Sequence, residues 1–500
     1  MSDRRQMPQR ALRPGVSGPS DGPQRPLVIR IEKPIYGGAG LARDDGKAIF
    51  IPYTLPGEYV AAFVTHSKSS FAEAALEEIY EPSADRVEPP CPHFGFCGGC
   101  HYQHANYPAQ LAMKAAILEE ALTRARLAPL PPIATHAGQP FGYRNRIRLH
   151  LDPFADTAGS ALGYRVRGSH HLIAVEQCPI AAPGLEQALR PLAELCIRQQ
   201  CGSYFSQVEL SVNHDATELL LALWPRERVG VDEAGARLTK LCEALRPRLP
   251  ALRGACVHAP AEEASPLRHD RRLPKYGARP QQKRTSKGLD RVADDPVSDS
   301  APGAPIATWG LTHMTYTVAG IDYRVSLGAF FQVNRTLVDT LVQLATGGRG
   351  GMLAWDLYAG VGLFSRVLAR HFERVTAVEG SPVSWADLRV NLGPQHQAIR
   401  SSTLDLLRRE AARPRIGKAA RATPEFVLLD PPRAGLGEEA TRLLTQIGPP
   451  DITYVSCDPA TLSRDLWALL DSGYKLKQLH LIDLFPQTFH LETVVMLSRG

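Results

Sequence analysis

Apolar and polar positions alternate with a period of two from Leu27 to Glu81, through VIRIEK, GGAGLARDDGKAIFIPYTLPGEYVAAFVTH and AALEEIYEPS. Turn pairs such as Asp45-Gly46 break the alternation, so the pattern predicts short strands closing into a small β-barrel. An SH3-like barrel and an oligonucleotide-binding barrel fit it equally. Tyr107 to Arg126 has helical spacing and propensity. Alternation returns from Tyr143 to Val175 and predicts a hairpin or meander; Leu185 to Gln200 reads as a helix, and VELSVN and ELLLALWP as strands. From about Trp309 strands and helices take turns: MLAWDLYA, RVTAVEG, FVLLDPP, DITYVSCDP and KLKQLHLIDLF are strands, with helices such as SWADLRVNL between them. That rhythm predicts a parallel α/β sheet. No internal repeat is visible.

The expected organisation is a basic tail at 1–25, a barrel at 26–86, a central α+β domain at 87–308 and an α/β domain at 309–500. The helix at 107–126 is expected to pack on the C-terminal domain. Residues 260–305 are rich in Arg, Lys, Pro, Ser and Asp, too poor in large apolar residues to bury a core, and read as a mobile insertion. Its basic half, Arg268 to Arg291, could meet nucleic acid or simply be solvated.

Composition narrows the class only a little. The 500 residues are 44% apolar and 22% charged, as in globular proteins. The formal net charge of +6 suits a mildly basic enzyme and an RNA binder alike. No apolar run approaches the ~20 residues of a membrane span. The arginines of MSDRRQMPQRALRPGVSGPSDGPQRP have no apolar stretch behind them, so no secretory signal is expected. Nine cysteines, an odd number, argue against a disulfide framework and for reduced, cytoplasmic thiols.

Chemistry concentrates at the strand ends of the last domain. Asp356-Leu-Tyr-Ala-Gly360-Val-Gly362 follows a strand and opens a helix, and Glu379 ends the next strand. The glycines allow a tight turn beside a ligand, and the carboxylate can accept both hydroxyls of a ribose. A dinucleotide site wants a third glycine where Ser365 stands, which favours S-adenosyl-L-methionine. Asp430-Pro-Pro forms a rigid acidic shelf at another strand end, resembling the fourth motif of class I methyltransferases.

Cys457 follows the strand DITYVS and precedes an Asp-Pro helix start, whose N-terminus would favour a thiolate. A thiolate is what carbon-5 chemistry on uracil requires. Addition to carbon 6 makes carbon 5 nucleophilic, and a base must later remove the carbon 5 proton. Glu492, directly before the apolar strand TVVML, is the candidate base, and partial burial there would raise its pKa.

Taken together, DLYAGVG, VEGS, LLDPPRAGLG, YVSCDPATLSRDL, LFPQTFHLETVVML and the block Phe330-Phe-Gln332-Val-Asn334 resemble the RNA uracil-5-methyltransferase family over nearly the whole chain. The resemblance implies a class I, Rossmann-like methyltransferase domain. It implies Gln332, Tyr358, Glu379 and Asp430 as cofactor contacts, Asp405 near the adenine, Cys457 as nucleophile and Glu492 as base. Ala359 stands where relatives often carry cysteine and Leu363 where many have a polar residue, so no cofactor contact is carried over at Leu363.

Cys91, Cys97 and Cys100, with the distant Cys178-Pro179, suit a cubane iron-sulfur cluster; four-cysteine zinc is the rival. The ribosomal RNA members of the family carry a [4Fe-4S] cluster, which the resemblance therefore implies here. Cys196, Cys201, Cys242 and Cys256 read as ordinary thiols. The barrel resembles a TRAM domain, in which Tyr36, Phe50 and Tyr53 would stack bases or pack the core. Arg144, Arg146 and Arg148 alternate on one strand and offer a phosphate stripe or a solvated one.

A barrel together with a cluster resembles the enzymes that modify one uridine of 23S ribosomal RNA, with tRNA as the alternative target. The target base must leave its stack to reach Cys457. A cytosine-5-methyltransferase is disfavoured because Arg433 follows Pro432. An inactive RNA-binding relative is disfavoured because Gln332, Glu379, Asp430, Cys457 and Glu492 are all present. A cytoplasmic monomer is expected.

Overall fold

The computed structural model describes residues 25–153, 162–169, 171–259, 305–414 and 423–499. The expected tail, apart from Arg25, and positions 260–304 of the expected insertion lie outside the described residues.

The N-terminal strands form one six-stranded sheet in the order Leu27–Arg30, Tyr59–Ser67, Phe71–Glu81, Lys47–Pro52, Ala39–Asp44, Lys33–Pro34. Ile29 from one end of that order shares a core with Ala42 from near the other, so the sheet curls around its own apolar face. Asp45 (φ 46°) and Gly46 (φ 82°) make the two-residue hairpin, with Asp44 opposite Lys47.

The central region is a seven-stranded sheet ordered Leu172–Ala174, Leu162–Arg165, Arg146–Leu151, Phe205–Val212, Leu219–Pro225, Leu252–His258, Pro305–Gly310. Helices Pro183–Arg198 and Val231–Leu245 share its main core. The second helix and the strand Leu252–His258 lie where the pattern gave no expectation. His258 pairs with Pro305, so the chain leaves this sheet before residue 260 and returns beside its point of departure.

The C-terminal sheet has eight strands in the order Gln397–Arg400, Phe372–Glu379, Gly351–Leu357, Phe426–Leu429, Asp451–Ser456, Glu492–Arg499, Tyr474–Ile482, Ile133–His136. All neighbours are parallel except Glu492–Arg499, which inserts antiparallel between two others. The strand Phe426–Leu429 is buried throughout, as expected of a parallel sheet covered on both faces.

The helix Tyr107–Arg124 belongs to this layer in space. Asn106 caps it by accepting from the Ala109 N–H at 2.9 Å. Its Ile117, Leu118 and Leu122 join the core under the C-terminal sheet. Lys114 on the same helix meets Asp483 at 2.6 Å with both side chains fully buried. Removing one partner of such a pair strands a charge and costs about 3–5 kcal/mol. The N-terminal half is therefore fastened to the loop that leads into Glu492.

Candidate active site

Tyr358, Glu379, Asp430 and Cys457 sit where strands of the C-terminal sheet end, and Glu492 where the reversed strand begins. The strand Gly351–Leu357 gives way to Tyr358, which has φ 65°. Gly360 (φ 56°) and Gly362 (φ 91°) continue the turn in the left-handed region, and a Cβ on Gly362 would lie 2.8 Å from Leu388. Asn391 holds this loop through the Val361 carbonyl at 2.8 Å. Ser365, in the slot of the missing glycine, hydrogen-bonds the buried Asp356. That position is used to hold a carboxyl rather than to admit a pyrophosphate.

Glu379 ends the neighbouring strand, and its two oxygens accept the Gly360 N–H at 2.8 Å and the Ser381 N–H at 2.6 Å. The carboxylate is thus fixed against the glycine loop. Asp405, in the first turn of the helix Thr403–Ala412, is bound to Ser402 at 2.7 Å and is largely exposed. Asp430 follows the next strand over, and the Gln332 amide donates to it at 3.5 Å. Asn145 in turn donates to the Gln332 carbonyl at 3.0 Å, so the central domain positions this block.

Cys457 follows the strand Asp451–Ser456 and is partly exposed. The structure alters one expectation here. The helix N-terminus beyond it is already satisfied, because Asp458 accepts the Ala460 and Thr461 N–H groups at 2.9 and 2.8 Å. Burial, with Glu492 and Asp430 adding to it, pushes the Cys457 thiol well up, and Arg433 opposes them. Glu492 is fully buried rather than partly so, at 4% exposure. Burial, then the charge of Asp430, raises its carboxyl well above the usual range. Burial and Asp356 bring Asp430 up to about 7. Two acids and a thiol therefore share one buried edge with too little positive charge, an arrangement that an incoming cation would relieve.

Tyr36 and Arg433, named in the sequence for other reasons, and His490, which was not, also meet here. The Tyr36 hydroxyl donates to the Cys457 carbonyl at 3.4 Å, and its ring stands edge-on to Phe489 at 5.3 Å. The barrel therefore touches the active edge through a residue that had been read as base-stacking or core. Arg433 and His490 meet at 3.3 Å. Position within the Phe-His-Leu-Glu run was the only available signal for His490.

The other candidates lie elsewhere. Arg146 and Arg148 share a face of Arg146–Leu151, as their alternation requires. Both approach Glu209, at 3.6 and 2.9 Å, and Arg148 also covers the Trp224 ring at 4.4 Å. Arg144 lies before that strand and donates to the Arg146 carbonyl at 3.0 Å. These guanidinium groups are engaged within the protein. Phe50 packs on Phe71 at 5.6 Å and Tyr53 on Phe94 at 5.3 Å.

Cys91, Cys97, Cys100 and Cys178 lie near enough to act on one another electrostatically. Cys97 bridges to Val166, the Gln103 side chain accepts the Cys91 N–H at 3.2 Å, and Tyr164 donates to the Cys178 sulfur at 3.8 Å. Burial, with Cys178 and Cys91 adding to it, pushes Cys97 up to about 11. Burial also raises Cys100, with its three partner thiols adding to the effect. Among the described residues no group of three or more His, Cys, Asp or Glu is arranged to hold a metal ion. Among them, too, no helix is long and apolar enough to cross a membrane.

A glycine loop, a ribose-type carboxylate and an acidic shelf on a sheet with one reversed strand define an S-adenosylmethionine-dependent methyltransferase of class I. Residues 315–500 match the family model tRNA (Uracil-5-)-methyltransferase, and residues 27–76 match the TRAM domain. The chain is 32% identical over 490 residues to the 23S rRNA (uracil(1939)-C(5))-methyltransferase RlmD of Halomonas elongata, covering 97% of this chain and 91% of that one. It is 30% identical to an uncharacterized RNA methyltransferase of Thermosynechococcus vestitus, covering 95% and 98%. The chain belongs to the RNA uracil-5-methyltransferase family and is an S-adenosylmethionine-dependent enzyme of that activity. Its fold matches the tRNA (uracil-54, C5)-methyltransferase of Pyrococcus abyssi, solved with S-adenosyl-L-homocysteine, at TM-score 0.67 and 20% identity over 94% of this chain and 100% of that one.

Proposed function

We propose that the enzyme methylates carbon 5 of one uridine in 23S ribosomal RNA, with Cys457 as nucleophile and Glu492 as base. The Cys457 thiolate adds to carbon 6, and the electrons of the 5,6 double bond pass to the carbonyl at carbon 4. Carbon 5 then takes the methyl group. Glu492 removes the carbon 5 proton, the double bond re-forms, and the thiolate leaves. S-adenosylmethionine, when bound, would supply the methyl as a sulfonium electrophile, its S–CH3 bond breaking to leave S-adenosyl-L-homocysteine. Gln332, Tyr358, Gly360, Gly362, Glu379, Asp405 and Asp430 are the residues that would hold it. The donor set fits: a left-handed glycine turn, a fixed carboxylate and a shelf whose acid is short of positive charge.

The observation that carries this reading is the convergence of Cys457, Asp430 and Glu492 on one buried edge. The rRNA target rests on full-length similarity to relatives of that name. Mapping 5-methyluridine in a strain lacking the gene tests it. Loss at a single 23S position is expected, and loss from tRNA instead would move the assignment to tRNA.

The four converging cysteines are the proposed ligands of a [4Fe-4S] cluster, whose cage holds thiolates farther apart than a lone ion does. Its role in this reading is to staple the central domain. Anaerobically purified protein should contain iron and sulfide that Cys97→Ser loses; stoichiometric zinc would decide for the rival. Arg144, Arg146 and Arg148 are retained as RNA-facing candidates, for which phosphate would compete with Glu209 at Arg146 and Arg148 and with the Arg146 carbonyl at Arg144. The reading places the enzyme in the cytoplasm, acting as a monomer.

A further inference from the structure

Gln487 is a junction between segments far apart in the chain. It is 2% exposed and holds φ 69°, which non-glycine residues rarely adopt. Its carbonyl accepts the N–H groups of His101 and Tyr102 at 2.7 and 2.9 Å, directly after Cys100. Its own N–H donates to Gln110 at 3.0 Å, and the Gln110 amide donates back to the Gln487 side chain at 3.0 Å. Tyr143 holds the preceding Pro486 carbonyl at 2.9 Å.

The loop so fixed has one outward consequence. Thr488 closes it through the Phe485 carbonyl at 2.8 Å and accepts the His490 N–H at 3.3 Å. Phe489 and Phe485 flank the His490 ring at 4.3 and 5.6 Å, and the His101 ring meets Phe489 at 4.7 Å. His490 is thereby set against the Arg433 guanidinium at 3.3 Å. Phe489 also meets the Tyr36 ring at 5.3 Å, and the Tyr36 hydroxyl donates to the Cys457 carbonyl at 3.4 Å, so the same loop reaches the backbone of Cys457. Beyond burial, Glu492, Asp430 and Asp458 push that thiol up and Arg433 opposes them.

We propose that Gln487 is a positioning residue that joins the cysteine-bearing segment to the loop seating His490 against Arg433, and so sets the charge around Cys457. Arg433 then opposes the acids around this thiol, and the cysteine-bearing segment acts on the reaction through the seating of that cation. The inference rests on the reading of Cys457 as nucleophile.

The test is the alkylation rate of Cys457 by iodoacetamide, across pH, in the full-length enzyme without RNA, with the modified peptide quantified by mass spectrometry. Thiolate alkylates and thiol does not, so the rate reports the charge around the sulfur and not stability. Arg433→Gln should slow the reaction about tenfold near neutral pH, and Arg433→Lys should restore most of it. Gln487→Val, which resists the left-handed backbone, should slow it several-fold, and Gln487→Gly, which accepts that backbone, should not. If Gln487→Val does not fold, Gln110→Ala, which removes the brace without straining the backbone, decides the matter by the same slowing. Wild-type rates in Arg433→Gln, or in the folded Gln487→Val and Gln110→Ala proteins, overturn the proposal. Failure of the underlying reading looks different: wild-type enzyme would then form no Cys457 adduct with 5-fluorouridine RNA, whatever the alkylation rates.

Discussion

The two large sheets treat their buried charges in opposite ways. In the central sheet Glu209, 3% exposed, faces both Arg146 and Arg148, and the charges answer one another. At the edge of the C-terminal sheet Asp356, Asp430, Glu492 and Cys457 press on one another instead, and burial raises every one of them. Both sets are polar residues at the ends or faces of strands. The first finds its opposite charge within the protein. The second is short of positive charge, as the proposed sulfonium cofactor and proton transfer would require. Tyr36 and Lys114 show that the active edge still depends on the rest of the chain, because the barrel and the helix Tyr107–Arg124 are both fastened to it.

The largest effect is expected at Glu492. Glu492→Gln should lower steady-state methylation about 10³-fold while the covalent enzyme–RNA complex accumulates, because release needs the carbon 5 proton removed. A slow variant with no accumulated complex, judged by denaturing gel, would take Glu492 out of the base role. The next largest effect belongs to the other sheet. Glu209→Gln leaves two guanidinium groups short of a counter-charge and should cost about 2 kcal/mol in urea unfolding. The cofactor affinity of that variant should be unchanged; a selective loss of cofactor binding would mean the two sheets are not separable in this way.

The smallest effect is a pH dependence at Asp430. Its carboxyl is raised to about 7 in the folded protein. The unfolded chain releases that proton near the ordinary value of about 4. Between these values the folded state binds more protons, so this group's contribution to stability falls as pH rises through the window. The thermal stability of wild type minus that of Asp430→Asn should therefore decline from about pH 4 to about pH 7, and added S-adenosylmethionine should flatten the decline. A difference constant across that range would remove Asp430 from the strained set.

Local signals made much of this legible in the sequence. Gly360 and Gly362 announced a left-handed turn, Asp45-Gly46 a hairpin, and the unbroken apolar run at Phe426–Leu429 a covered strand. Pairings across long separations were not legible. The alternation of Arg146 and Arg148 is the same whether the face meets phosphate or Glu209, which lies 61 residues beyond Arg148. Gln110 and Gln487 are 377 residues apart, and neither stands in a pattern that names the other. The helix start after Cys457 was visible, and Asp458 before Pro459 is an ordinary capping signal; its consequence, that the helix N-terminus is not left free for the thiolate, was not drawn.

The central claim is that Cys457 attacks the target uracil. Its most direct test is to incubate RNA bearing 5-fluorouridine at the target position with enzyme and S-adenosylmethionine, then identify the linked peptide by mass spectrometry. Fluorine at carbon 5 cannot be removed as a proton, so the adduct should persist, attached through Cys457, and Cys457→Ala should form none. An adduct that survives Cys457→Ala, or no adduct from an enzyme that methylates the unmodified RNA, would contradict the account.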